Sequence, residues 1–356
     1  MYYPDQRYAS TLTIFRREAM LPEEALGTVR VTEGKRVDIR DIVANGVIPA
    51  RYVVMDALDY FGLRNADKLE DLLLVGVGDV VDVNQVIAGK SKTRGRRLQS
   101  PVKGIVSRID EGRIIIQEMP EVTDVEAGVR GRVVHVEPGR GVIIEAVGAQ
   151  TQGVWGNGRR VIATLRVEPE DGLENIRADA LEQRYAGTVV LTRRPLTVQG
   201  LETMIDQSFS GVIAPSMDAS LIGRALKARG AVLLTEGFGS IRMSGTIFRL
   251  LQDMEGQAVT VDAYTPSQWQ TRTPEVIVNV RSEKEPPPPN IMLTLRVGMS
   301  VRVTREPYLG LTGQVLELPS SPVLLPNGLR VPCARVELVS GEKADVPVAD
   351  LEVMGR

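Results

Sequence analysis

The side chains with the widest chemical reach lie in three loops of the segment 187–280. The first loop carries Arg193 and Arg194, the second Ser216 and Asp218, and the third, "TEGFGSIR", carries Thr235, Glu236, Ser240 and Arg242 around Gly237 and Gly239. Each follows a short aliphatic run ("GTVVLT", "SGVIA", "AVLLT"), and helical patterns such as "DASLIGRALKAR" and "MSGTIFRLLQDM" lie between the runs, before a fourth run, "AVTVDA". Such alternation predicts a parallel sheet with crossover helices, whose loops gather at the edge where open α/β sheets bind ligands. Gly237 and Gly239 permit a sharp turn and the next helix offers unpaired N–H groups, so the chemistry open to this edge is capture of a phosphate- or carboxylate-bearing small molecule. The loop has neither the Gly-Lys-Ser/Thr ending of a P-loop nor the GxGxxG spacing. Glu236 could act as a general base only beside a lysine, an arginine or a metal. Ser216, Asp218 and Ser240 are equally helix-capping types, and the two glycines equally suit a plain strand-to-helix turn.

A second chemistry is contact with phosphates or with a protein partner. From Lys90 to Lys103 the chain places Lys90, Lys92, Arg94, Arg96, Arg97 and Lys103 with no acidic residue among them. A basic hairpin of this kind could track a phosphate backbone, yet it offers no aromatic ring for a base to stack on. Further along, Arg302, Arg305 and Tyr308 are spaced to form a small phosphate and stacking patch. From residue 291 onward seven basic residues balance seven acidic ones, whereas a dedicated nucleic-acid module shows a basic excess. A protein partner suits that balance equally well.

What the composition leaves out narrows the field further. Cys333 is the only cysteine and His135 the only histidine in 356 residues, which removes disulfide frameworks, CxxC redox centres and histidine-rich metal sites, and His135, between Val134 and Val136 on an apparent strand, reads as a structural or exposed residue. No metal or cofactor is expected, and an enzyme is the less favoured class. A net charge of −2 gives no global pull toward nucleic acid or membrane. No apolar run approaches the ~20 residues of a membrane span, and the first twenty residues lack a secretory pattern. The expectation is a cytoplasmic protein without a membrane partner.

These residues need elements to hold them. "EKEPPPPN" reads as a stiff spacer over 282–290, leaving 291–356 as a small module. A change of rhythm near 170–184 separates a β-rich region, 1–170, from an α/β region, 184–281. Within the first, Gly34, Val37, Asp38, Ile39, Ile42, Val43 and Ala44 recur 44 residues later as Gly78, Val81, Asp82, Val83, Val86, Ile87 and Ala88. "GVRGRVVHVEPGRGVIIEA" reads as a third phrase of the same rhythm, and residues 50–75 as a small helical insertion.

"GDVVDVNQVIAGK" followed by "LQSPVKGIVSRIDEGRIIIQ" resembles the barrel-sandwich hybrid of lipoyl and biotinyl domains. That resemblance implies a modified lysine at a hairpin tip, but the Met-Lys-Met and Asp-Lys-Ala settings are absent and the carrier reading falls. "VGMSVRVTREPYLGLTGQVLELP" resembles the KOW motif of NusG-type factors, which implies an SH3-like barrel. With "SPVKGIVSRI", "TEGFGSIRM" and "VTREPYLGLTGQV" as landmarks, the chain resembles a family of uncharacterised bacterial multidomain proteins, which implies architecture but no activity. The expected fold class is multidomain α+β: an N-terminal β-rich barrel-sandwich hybrid, a central α/β parallel-sheet domain and a C-terminal SH3-like (KOW) barrel. The expected function is a scaffold docking onto a protein or RNA assembly through the KOW-like barrel and the basic hairpin. The alternative is a ligand-binding protein or enzyme at the strand-end loops.

Overall fold

The structure, a computed structural model, describes residues 5–7, 9–90, 95–176, 185–265, 273–280, 286 and 294–354. Lys92, Arg94 and, apart from Pro286, the proline spacer lie outside the described residues. The chain is mostly β, 46% strand against 13% helix, with its strands divided among several sheets.

One eleven-stranded sheet runs through the middle of the chain. Arg160–Val167, Val189–Leu191, Gly211–Met217 and Ala231–Phe238 lie side by side in that order, each parallel to the next. Every residue of the two middle strands is buried, as parallel strands covered on both faces require. Alternate side chains sort to opposite faces. Leu191, Ile213 and Leu233 share a core with Ile247 and Leu251 of the helix Gly245–Gln252. Val190, Val212 and Val232 share another with Leu201 and Met204 of the helix Val198–Asp206, whose first turn Thr197 caps by accepting from Gly200 N–H at 3.0 Å.

The fourth aliphatic run departs from the all-parallel expectation. Ala258–Asp262 lies antiparallel to Arg160–Val167. The chain leaves the preceding helix beside Leu165, level with Val189, Gly211 and Ala231 at the start of the other parallel strands, where Gly256 N–H donates to Leu165 O at 2.9 Å, and it runs on past that edge alongside Arg160–Thr164 in the opposite direction. The sheet continues through Glu275–Val278, Gly141–Gln152 and Gly131–Glu137 to Arg36–Val37. Strands that the sequence assigns to the β-rich and the α/β regions are thus hydrogen-bonded in one sheet. The C-terminal module forms a six-stranded sheet with its own core around Val301, Val315, Val336 and Val353. One of its two edge strands is Asp5–Arg7, which pairs in parallel with Leu351–Met354.

The 44-residue echo is a structural duplication. Gly34 and Gly78 both have positive φ (82° and 92°), and their N–H groups donate to Val133 O and Val106 O, each at 2.8 Å. Val37 then pairs with Gly131, and Val81 with Gly104. Gly131–Glu137 against Gly141–Gln152 repeats the register of Gly104–Asp110 against Arg113–Glu118, including a bulge after the third residue, at Val133/His135 and Val106/Arg108. The phrase over 128–146 is therefore the partner of the first copy, and its counterpart is 104–118.

The two copies are nested. The strand Ile42–Ile48 of the outer copy pairs with Glu121–Glu126, and the whole inner copy lies between them. The inner copy has its own core of Ala57, Leu69, Val81, Ile87, Ile114 and Ile116. Of the expected helical insertion only Ala57–Phe61 and Asp67–Glu70 are helical, while "YVVMD" is a strand beside Arg113–Glu118. Alternation of exposed and half-buried residues along Tyr52–Asp56 is strand periodicity.

Close backbone approach explains one glycine in each copy. A Cβ on Gly104 would lie 2.2 Å from Gln117 O, and one on Gly131 2.3 Å from Glu145 O. Gly104→Ala and Gly131→Ala should each cost about 1–3 kcal/mol, as overpacking against fixed backbone does. Urea denaturation of both variants checks this, and a neutral result at either site would break the equivalence of the two copies.

Candidate functional site

At the carboxyl edge of the parallel strands, several of the predicted ligand side chains are engaged with the protein itself. Ser216 Oγ donates toward Gly239 O and Ile241 O, both at 2.8 Å, and accepts from Ile241 N–H at 3.1 Å, which folds the "TEGFGSIR" loop down onto the neighbouring strand. Asp218 caps a short 3-10 turn, accepting from Ser220 N–H at 2.8 Å, and its carboxyl is held below the usual range by hydrogen bonds from Ser220. Arg193 lays its guanidinium over the Phe248 ring at 5.3 Å. Thr235 is buried, whereas Ser240 and Arg242 are exposed. Gly237 and Gly239 both have positive φ (119° and 109°), so the turn they were expected to permit is present.

Glu168, which sequence reasoning missed, occupies the place of an anion at this edge. Its carboxylate accepts from Arg193 N–H at 2.6 Å and from Leu173 N–H at 3.2 Å. Burial pushes the carboxyl above its ordinary 4.5, and the two N–H donors oppose that shift. A carboxyl with a higher pKa folded than unfolded binds more protons in the fold, so its contribution to stability falls as pH rises from about 4.5 through the raised value. Glu168→Gln should flatten the stability curve over that window. Thermal melts from acidic to neutral pH test this, and parallel curves for the two proteins would refute it.

Glu236 has a partner of another kind. Its carboxylate accepts from Ser244 N–H at 3.1 Å and forms an ion pair with Arg302 of the C-terminal sheet. Arg302 also pairs at 3.1 Å with Glu352, its cross-strand neighbour. All three are almost fully buried. On the strand Ser300–Val303, Val301 and Val303 enter the module's core, so Arg302 points out of it, and its burial comes from the α/β unit lying against that face. Gly310 joins the same contact, because a Cβ there would come within 2.7 Å of Ile241. A predicted ligand residue and a predicted partner-contact residue thus neutralise each other inside the molecule. The remaining residues of the expected patch also have internal partners: Arg305 pairs with Asp350 at 3.3 Å, and Tyr308 O–H donates to Glu342 at 2.7 Å, a bond that raises the phenol pKa.

The basic segment is placed on the inner copy. Lys90, Arg96 and Lys103 are exposed and Arg97 is half-buried. Tyr60 ties the segment down. Its O–H donates to Arg97 O at 2.6 Å, and Arg96 lies 4.9 Å from its ring centroid. Lys103 lies 3.6 Å from Asp82. The strands Val86–Gly89 and Arg97–Gln99 that carry the segment correspond to Ile42–Ile48 and Glu121–Glu126 of the outer copy, which carry the inner copy itself.

A second buried network also escaped sequence reasoning. Arg17, 1% exposed, pairs with Asp262 at 3.2 Å and Glu275 at 3.3 Å, while Arg160 pairs with Asp262 at 3.1 Å. These residues are up to 258 positions apart, and no local pattern links them. A cleft of about 400 Å³ opens between residues 38–41 and the stretch Ile162–Thr164 with Ala258, away from the expected ligand edge. Its Asp38 is tied to Ile39 N–H at 2.7 Å and to Arg130 at 3.1 Å, and both hold its carboxyl below the usual range. His135, exposed, lies 3.3 Å from Glu33. Among the described residues no cluster of metal-ligating side chains is found, and no helix is long and apolar enough to cross a membrane.

In comparisons with known proteins, no family model and no curated protein matches this chain.

Proposed function

We propose that this chain is a non-enzymatic binding and scaffold protein that docks onto a protein assembly through its inner β-unit. In this reading the nested copies are barrel-sandwich hybrids, the α/β sheet is their support, and the C-terminal module is an SH3-like barrel of KOW type that braces the sheet. The observation that carries the reading is the inner copy itself. It has a separate core, is joined to the outer copy through the two strands that would otherwise close a hairpin, and bears Lys90, Arg96 and Lys103 on its surface. Scaffolds commonly present such a unit on a rigid support, since a pre-ordered docking element loses little entropy on binding. A ligand site at the strand-end loops has less to recommend it, because Ser216, Glu236 and Glu168 already take up the donors and charges that a ligand would need.

Affinity capture from native lysate, with and without nuclease, tests the proposal. Expected is the same set of protein partners in both arms, reduced by Arg96→Glu with Lys103→Glu. Recovery of no partner in either arm would overturn it. Nuclease-sensitive recovery that weakens steeply with salt would replace the protein partner with RNA.

A further inference from the structure

The duplication supplies an internal control for surface chemistry. In the outer copy, the solvent-facing row across the strands reads Arg16, Glu145, Arg132, Arg36, and Arg16 pairs with Glu145 at 3.1 Å. The equivalent row of the inner copy reads Tyr52, Gln117, Ile105, Val80. Tyr52 is 61% exposed, Ile105 38% and Val80 56%, and Val54 in the next row is 58% exposed. One row is therefore charged throughout in one copy and, Gln117 apart, apolar in the other, the pattern expected of a covered face.

We propose that the occupant of this face is a second copy of the same chain, joined sheet to sheet about a two-fold axis. The inference rests on the inner unit being the docking element. Charge along the border of the face selects the partner. Asp56, Arg113 and Asp110 are cross-strand neighbours in that order, with Arg113 3.7 Å from Asp56 and Asp110 paired with Arg108, a line of alternating sign and no net excess that a partner of one charge would not match. A two-fold axis parallel to the strands, between Gly104–Asp110 and Arg113–Glu118, sets Arg113 of each copy over Asp110 of the other and Tyr52 over Val80. An isologous contact needs this self-complementarity. The strands of the face are five, six, seven and two residues long, which at ~4.8 Å spacing gives about 330 Å², under half the ~800 Å² per partner of a standard interface. The dimer is accordingly a weak one that forms only at high protein concentration.

Light scattering on the full chain from about 1 to about 300 μM should show the mass rising from one chain toward two. Tyr52→Lys with Val80→Lys should raise the apparent dissociation constant at least tenfold, with unchanged circular dichroism and melting. Val122→Lys places the same charge on another exposed apolar position, 73% exposed on the outer copy, and should leave the dimer intact. A chain that stays monomeric throughout, a dimer indifferent to the Tyr52 and Val80 changes, or one abolished by Val122→Lys would each overturn the inference. A monomeric chain that still captures a protein partner from lysate loses only this inference; one that does neither loses the proposed function as well.

Discussion

Arg302→Ala should destabilise the protein by about 3–5 kcal/mol, the cost of removing one partner from a buried ion pair, and should loosen the C-terminal sheet from the α/β unit. The cause is the loss of a cation shared by two buried carboxylates. Arg302 pairs with both Glu236 and Glu352, so its loss takes a shared cation from two almost fully buried carboxylates. The damage also spreads, because Glu236 accepts from Ser244 N–H at the start of the helix Gly245–Gln252. Urea denaturation followed by two spectroscopic probes is the measurement, since a chain with separate cores need not unfold in one step. Limited proteolysis should release a C-terminal fragment from the variant sooner than from the parent. Neutralising the whole triad, with Arg302→Met, Glu236→Gln and Glu352→Gln, should recover part of the loss, as replacement of buried ion groups often does. A loss below about 1 kcal/mol for Arg302→Ala is the value of a solvated surface pair and would mean that the contact is open to water.

Arg17→Ala should be the next most damaging change, at about 3 kcal/mol. Here, among the described residues, Arg17 and Arg160 face Asp262 and Glu275. Loss of Arg17 therefore leaves Asp262 with Arg160, and Glu275 with Gln150 at 2.8 Å. Arg17→Lys should restore only part of the stability, because an ammonium cannot fork between two carboxylates as a guanidinium does. Gly128 lies against the Arg17 guanidinium, where a Cβ would be 2.9 Å from Nε, so Gly128→Ala should disturb the same network. Equal stability for Arg17→Lys and the parent protein would remove geometry from the explanation and leave charge alone.

Much of the fold was legible in short-range pattern. Aliphatic runs located the buried strands at Val189–Leu191, Gly211–Met217 and Ala231–Phe238. Period 3.6 placed Ile247 and Leu251 on the buried face of their helix. The Gly-x-x-Val-Asp echo located both copies of the duplication, because each copy needs a positive φ at the same glycine. The direction of Ala258–Asp262 was not legible, since an aliphatic run looks the same in a parallel and an antiparallel neighbour.

The candidate site divided along the same line. Residue type identified Glu236 and Arg302 as charged groups with work to do, and Ser216 and Asp218 as polar groups able to bond loop backbone. Only the tertiary structure decided that Glu236 and Arg302 meet each other, because their separation along the chain leaves no trace in spacing and because the burial of Arg302 depends on a neighbour that its own strand does not specify. The sequence by itself determined which segments are strands, where the repeat lies, and that cysteine and histidine chemistry is almost absent. The tertiary structure decided which charges are exposed and which are buried, since burial of an outward-facing side chain belongs to the contact between units and not to either unit alone.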